Sequence, residues 1–269
     1  MSAALKDELR SGDPDRRLGA IDSILSALAE PLSDDALDAL VRCVGAAQKT
    51  VQRRAIDALA TVAESGDARV VARLGRSIRD DDRRMRWGSA YALAQIGASA
   101  FAMNVADALS EALSDDDGDI RWAAANLVVR LGREYPTEIR ERLLALGADI
   151  DRNARKMAPY CIRDLHIGGA ELIAVLERAV RDSDVHVRLA ALAVLTQLDD
   201  AGDAAASLAV GCLESDADAG VRRAAAAALR NLQNSSPRAA AALRAAAADE
   251  SDASLARAAR GALERLEKP

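Results

Sequence analysis

The chain has 269 residues, half of them hydrophobic, but only two Trp, three Tyr and one Phe. Its core must therefore be filled by Ala, Leu, Val and Ile at close spacing, which suits helices packed on helices. Lys and Arg number 36 against 42 Asp and Glu, a net charge of −6, which disfavours wholesale coating of nucleic acid.

The first residues, Met-Ser-Ala-Ala-Leu-Lys-Asp-Glu, place charge where an export signal needs an apolar run, and no later stretch is long and apolar enough to span a bilayer. The reading is a cytoplasmic protein, with Cys43, Cys161 and Cys212 as reduced thiols because no paired cysteine spacing occurs. His166 and His186 are the two histidines, so paired-histidine metal motifs are absent, as are Walker, GxGxxG and GxSxG runs. No cofactor is expected.

From Asp13 onward the chain repeats itself. Copies start at Asp13, Gln48, Asp82, Asp117, Asp151, Asp184, Asp218 and Asp252, at intervals of 33 to 35 residues, and eight such units account for nearly the whole sequence. Counting the start as offset zero, offsets 3, 6, 7, 10, 11 and 14 are small or aliphatic. In the fourth copy these are Ile120, Ala123, Ala124, Leu127, Val128 and Leu131; in the sixth, Val187, Ala190, Ala191, Val194, Leu195 and Leu198. This is the stripe of a helix with one buried face. The Asp at offset zero fits an N-cap, and Gly66, Gly97 and Gly132 are expected C-caps. A shorter amphipathic segment precedes each stripe, as at 36–41 and 171–176, with Pro136-Thr137 and Ser236-Pro237 as helix starts.

Each unit is thus helix, turn, helix. Neither helix buries its stripe alone, so the units must stack. The expected fold is an all-α superhelix, a single solenoid over residues 1–269 with capping repeats near 1–31 and 236–269. The polar last helix suggests a finished, monomeric arc.

The recurring D-x-x-V-R-x-x-A-A-x-x-A-L pattern, as from Asp184 and Asp218, resembles HEAT repeats of the short prokaryotic PBS-lyase (E-Z) type. The resemblance covers the whole chain. It implies an armadillo-type α solenoid whose second helices line an inner face used as a binding platform. Members of that family include chromophore-lyase subunits, scaffolds and a hydroxylase of modified lysine. The hydroxylase binds iron through His-Glu pairs that this sequence lacks.

Offset 4 carries Arg17, Arg86, Arg121, Arg155, Arg188 and Arg222, in register with Asp82, Asp117, Asp151, Asp184 and Asp218 at offset zero. The strip of guanidinium groups would suit phosphate or carboxylate. Repeat physics favours a structural ladder, each Arg bonding the offset-zero Asp of its own or the next unit. The second copy has Gln at both positions, and the last has Asp252 but Ala256, as a forward-reaching ladder requires.

All six aromatics, Trp87, Tyr91, Phe101, Trp122, Tyr135 and Tyr160, fall in the third to fifth units. Trp87 and Trp122 at offset 5, and Tyr91 and Tyr160 at offset 9, lie off the apolar stripe and are expected to be exposed. With Asn126, Lys156 and Arg163 they would form one binding patch. The reading is a non-catalytic scaffold or adaptor that docks a protein partner there. The alternatives are a nucleic-acid-binding relative of alkylbase DNA glycosylases, with Asn126 where that chemistry needs a carboxylate, and a tetrapyrrole-lyase-like subunit using Arg155, Lys156 and Arg163. Cys161, on the apolar stripe, is expected in the core, and His166 in a loop or cap.

Overall fold

In the computed structural model, residues 3–27, 31–167, 170–196, 202–232, 236–249 and 251–266 are described. Leu198 and the Gly168–Gly169 pair lie outside them. The described residues form sixteen α-helices and two short 3-10 turns, and no strand.

The chain divides into two compact units, Met1–Ala112 and Leu113–Pro269. The first holds α1 (Ala3–Leu9), α2 (Pro14–Ser26), α3 (Asp34–Arg42), α4 (Lys49–Glu64), α5 (Arg69–Ser77), α6 (Arg83–Ile96) and α7 (Ala102–Ala112), with 3-10 turns at Cys43–Gly45 and Ser99–Phe101. The second holds α8 (Gly118–Glu134), α9 (Pro136–Leu146), α10 (Arg152–Asp164), α11 (Ala170–Ala179), α12 (Val185–Leu195), α13 (Gly202–Ser215), α14 (Ala219–Leu232), α15 (Pro237–Ala248) and α16 (Ala253–Leu266).

Within each unit the helices form two layers. In the first unit α2, α4 and α6 pack in succession, with α1, α3 and α5 as the other layer. In the second, α8, α10, α12, α14 and α16 pack in succession against α9, α11, α13 and α15. The stripes face inward as the period demands: Ala124, Leu127 and Val128 on α8, and Val187, Ala190, Ala191, Val194 and Leu195 on α12, are buried. Small residues let neighbouring backbones come close. A Cβ on Gly88 would meet the Val44 carbonyl oxygen at 2.0 Å, and one on Gly132 would meet Leu165 at 2.7 Å.

The offset-zero Asp residues are N-caps. Asp13, Asp82, Asp117, Asp151, Asp184, Asp218 and Asp252 each accept first-turn backbone N–H groups, at 2.7–3.1 Å. Gln48 makes no side-chain cap bond. Ser236 caps α15 ahead of Pro237, and Pro136 opens α9. Gly97 caps α6 and Gly66 follows α4, both in the left-handed region. Gly132 differs from the expectation: it lies inside α8 and is buried against Leu165, so it serves a close approach and not a helix end. His166 follows α10 at φ 54°, and its N–H donates to the Arg163 carbonyl, a C-terminal cap.

The arginine ladder exists, but its rungs are offset from the expected ones. Arg155 Nε donates to Asp182 at 2.6 Å, and Arg188 Nε to Asp216 at 2.8 Å. Arg86 grips Glu111 through Nε at 2.9 Å and Nη2 at 2.5 Å. Arg155 and Arg188 reach forward to the carboxylate two residues ahead of the offset-zero Asp, and Arg86 to Glu111. Asp82, Asp117, Asp151, Asp184 and Asp218 each turn Oδ1 to the helix N–H groups. The Asp two residues earlier accepts the offset-zero N–H as well, as in Asp184 N–H to Asp182 at 2.9 Å. The other arm of each Arg holds its own turn, with Nη1 of Arg86, Arg121, Arg155, Arg188 and Arg222 donating to the carbonyls five and six residues back. Arg17 donates to Gln48, and Arg222 stands 4.0 Å from Asp252.

Candidate functional site

Of the expected patch, the second unit assembles Trp122 and Asn126 on α8 with Lys156, Tyr160 and Arg163 on α10, two helices that pack side by side. Trp122 is 48% exposed. Its ring meets that of Tyr160 at 5.2 Å between centroids, tilted by 52°. The Arg163 guanidinium lies 5.4 Å from the Tyr160 ring centre, a cation–π contact, and also binds Asp164 at 2.7 Å. Asn126, one turn beyond Trp122, is exposed, while Lys156, Tyr160 and Arg163 are half-buried.

Burial pushes the Lys156 ammonium below its ordinary range, and the neighbouring Arg121 and Arg152 push it further, against the pull of Asp184. Burial also raises the Tyr160 phenol, which Arg163 opposes. Beside Tyr160, Pro159 sits within α10 and returns no N–H to the Arg155 carbonyl. Among the described residues the two exposed large apolar ones, Trp122 and Ile150 at 98%, both belong to this unit. Ile150 stands in the turn before α10, and that helix's Asn153 amide reaches the Asp115 carbonyl in the turn before α8 at 3.4 Å.

Trp87 departs from the expectation. It is 6% exposed and therefore no open-surface anchor. It belongs to the first unit and meets Tyr91 edge-on at 5.4 Å. α6 buries Trp87, Gly88, Ser89, Ala90, Ala92 and Leu93, more than one face, because Gly88 admits the Val44 backbone beside it. Phe101 in the same unit fills space over Gly75, whose added Cβ would meet its ring at 2.2 Å.

The thiols lie in the core. Burial pushes Cys43 and Cys212 up to about 11 and Cys161 to about 12. Sequence reasoning missed Ile150 as an exposed residue. It also missed a cleft of about 530 Å³ beside the Arg188–Asp216 rung, lined among others by Arg181, Ser207, Gly211 and Ser215. Among the described residues no three His, Cys, Asp or Glu side chains form a metal-binding group, and no helix is long and apolar enough to cross a membrane.

These helical hairpins stacked in two layers define an all-α repeat solenoid. The chain belongs to the HEAT-repeat family, whose model matches residues 38–128, 139–230 and 175–264. Among solved structures, it is similar to Kap95p in a study of its binding to RanGDP, with a TM-score of 0.63 and 11% identity over 99% of this chain and 41% of that one. It is similar to importin beta at a TM-score of 0.59 and 16% identity, over 98% of this chain and 40% of that one. The chain thus spans about two fifths of the length of these two relatives, and the likeness shows the fold alone. Human deoxyhypusine hydroxylase matches at a TM-score of 0.41 and 20% identity, over 98% of this chain and 95% of that one, a likeness too loose to carry an argument. No curated protein matches the sequence.

Proposed function

We propose that the protein is a non-catalytic interaction scaffold that docks a protein partner on the α8–α10 face of its second unit. The observation that carries this reading is the exposed Trp122–Tyr160 ring pair. Among the described residues neither the indole N–H, the phenol O–H nor the Lys156 ammonium is engaged in a hydrogen bond or ion pair, so all remain available to a partner. A large ring held by a neighbour loses little freedom on binding, which is why aromatic anchors dominate interface energies. HEAT repeats and the importin-like fold support the same role, since stacked hairpins present a broad, rigid surface.

A base stacked on Trp122 is the weaker reading. The net charge of −6 opposes phosphate, and Asn126 supplies no carboxylate for glycosylase chemistry.

Affinity capture with the wild type against a Trp122→Ala, Tyr160→Ala double variant, with circular dichroism confirming the fold, tests the proposal. Losing both anchors should weaken a genuine partner by about 2 kcal/mol or more, roughly 30-fold. Equal recovery of every bound protein by the two baits would rule the face out.

A further inference from the structure

On the α8–α10 face the ladder lacks its carboxylate rung. Arg86, Arg155 and Arg188 each hold a carboxylate on their forward side. Arg121 does not. Its Nη1 binds the Asp115 and Asp116 carbonyls as in the other rungs, but among the described residues no carboxylate completes the pair. The corresponding acceptor, Asp149, is bound by the Asp151 N–H and not by Arg121. Lys156, on the next helix of the same layer, also has no carboxylate partner, and it lies close enough to feel Arg121 and Arg152. Arg152 reaches Asp184 only at 3.4 Å and is 64% exposed.

Arg121 and Lys156 therefore lie beside the aromatic pair with no ion pair to a carboxylate among the described residues, while Arg152 holds Asp184. A guanidinium and an ammonium side by side, each with donors the protein leaves unused, are the complement of a single incoming carboxylate. Exposed Trp122 and Ile150 add apolar anchorage at the same ends of α8 and α10.

We infer that the α8–α10 face takes an acidic peptide segment of its protein partner, with a bulky apolar side chain on Trp122 and Tyr160 and a carboxylate between Arg121 and Lys156. This rests on the docking role proposed above and names the chemistry of the occupant. A carboxylate there supplies the missing rung from outside, forming the kind of charge-assisted bonds that Asp182 and Asp216 make from inside.

The test is panning a phage-displayed random dodecapeptide library on the immobilised full chain, with counter-selection on the Trp122→Ala variant. Enriched sequences should carry net negative charge beside a Leu, Phe or Trp. A synthetic peptide of the consensus should bind about tenfold more weakly to an Arg121→Gln, Lys156→Gln double variant, and its affinity should fall with added salt. Lys156→Gln alone breaks no bond within the protein and keeps the measurement readable if the double variant is unstable. Trp122-dependent peptides that are neutral or basic would overturn the acidic inference and leave the docking role standing. No Trp122-dependent enrichment would defeat the docking role itself. Displacement of the peptide by a single-stranded oligonucleotide of equal potency at about 20 mM salt would assign the cations to phosphate and overturn the inference.

Discussion

At the residue scale the turns before α10 and α12 are each held by a division of labour between two acids and one base. The offset-zero Asp caps the helix, the Asp two residues before it braces the turn, and the Arg binds carbonyls of its own turn with one arm and a carboxylate of the next with the other. Replacing Arg155 by Ala strips the half-buried Asp182 of its guanidinium, and should cost about 2 kcal/mol. Arg121→Ala, which loses carbonyl bonds but no ion pair, should cost less, and thermal unfolding of the two variants checks the order. Burial alone would raise the Asp182 carboxyl, but the Arg155 bond and the Asp184 N–H more than offset it, so the net shift is downward. A carboxyl lowered on folding stabilises the protein above its unfolded pKa of about 4, and that contribution fades as pH falls through the folded value. The stability gap between wild type and Arg155→Ala should therefore be full at pH 7 and shrink below pH 4, which denaturant titration at both values measures.

At the element scale the periodicity of small residues decides how closely helices approach. Gly88→Ala would push a methyl group into the Val44 carbonyl of the neighbouring 3-10 turn, backbone against backbone, so relief requires α6 to move. Overpacking of this kind costs typically 1–3 kcal/mol. The variant should melt several degrees lower, while Gly19→Ala in α2, where nothing lies within 4 Å of the added Cβ, should be neutral or slightly stabilising. The same contact marks what a one-dimensional pattern can show. The paired helices of each repeat, the Asp N-caps and the Trp122–Tyr160 neighbourhood follow from the repeat register, because Tyr160 sits one turn beyond the position matching Trp122 in the next copy. The burial of Trp87 does not follow, because it arises from a glycine that lets a distant turn close in. Nor does the choice of rung, because Arg86 takes Glu111 on α7 although Asp115, Asp116 and Asp117 follow in the next turn.

At the scale of the whole molecule, each helix touches its neighbours within its own unit, so the stability of each unit is a sum of nearest-neighbour terms. Deleting residues 236–269 removes α15 and α16 and uncovers α13 and α14, which pack against them. Amide hydrogen exchange should then rise in α13 and α14 and stay unchanged in α8 to α10. Uniform loss of protection from α8 to α14 would show instead that the second unit unfolds as one body. The interior placement of Cys43, Cys161 and Cys212 reaches beyond the fold. With its three thiols buried and protonated at neutral pH, the folded chain presents no accessible thiol to maleimides. A cysteine engineered into the surface would be its sole reporter, so a fluorophore placed beside the indole of α8 could follow ligand arrival against a silent background.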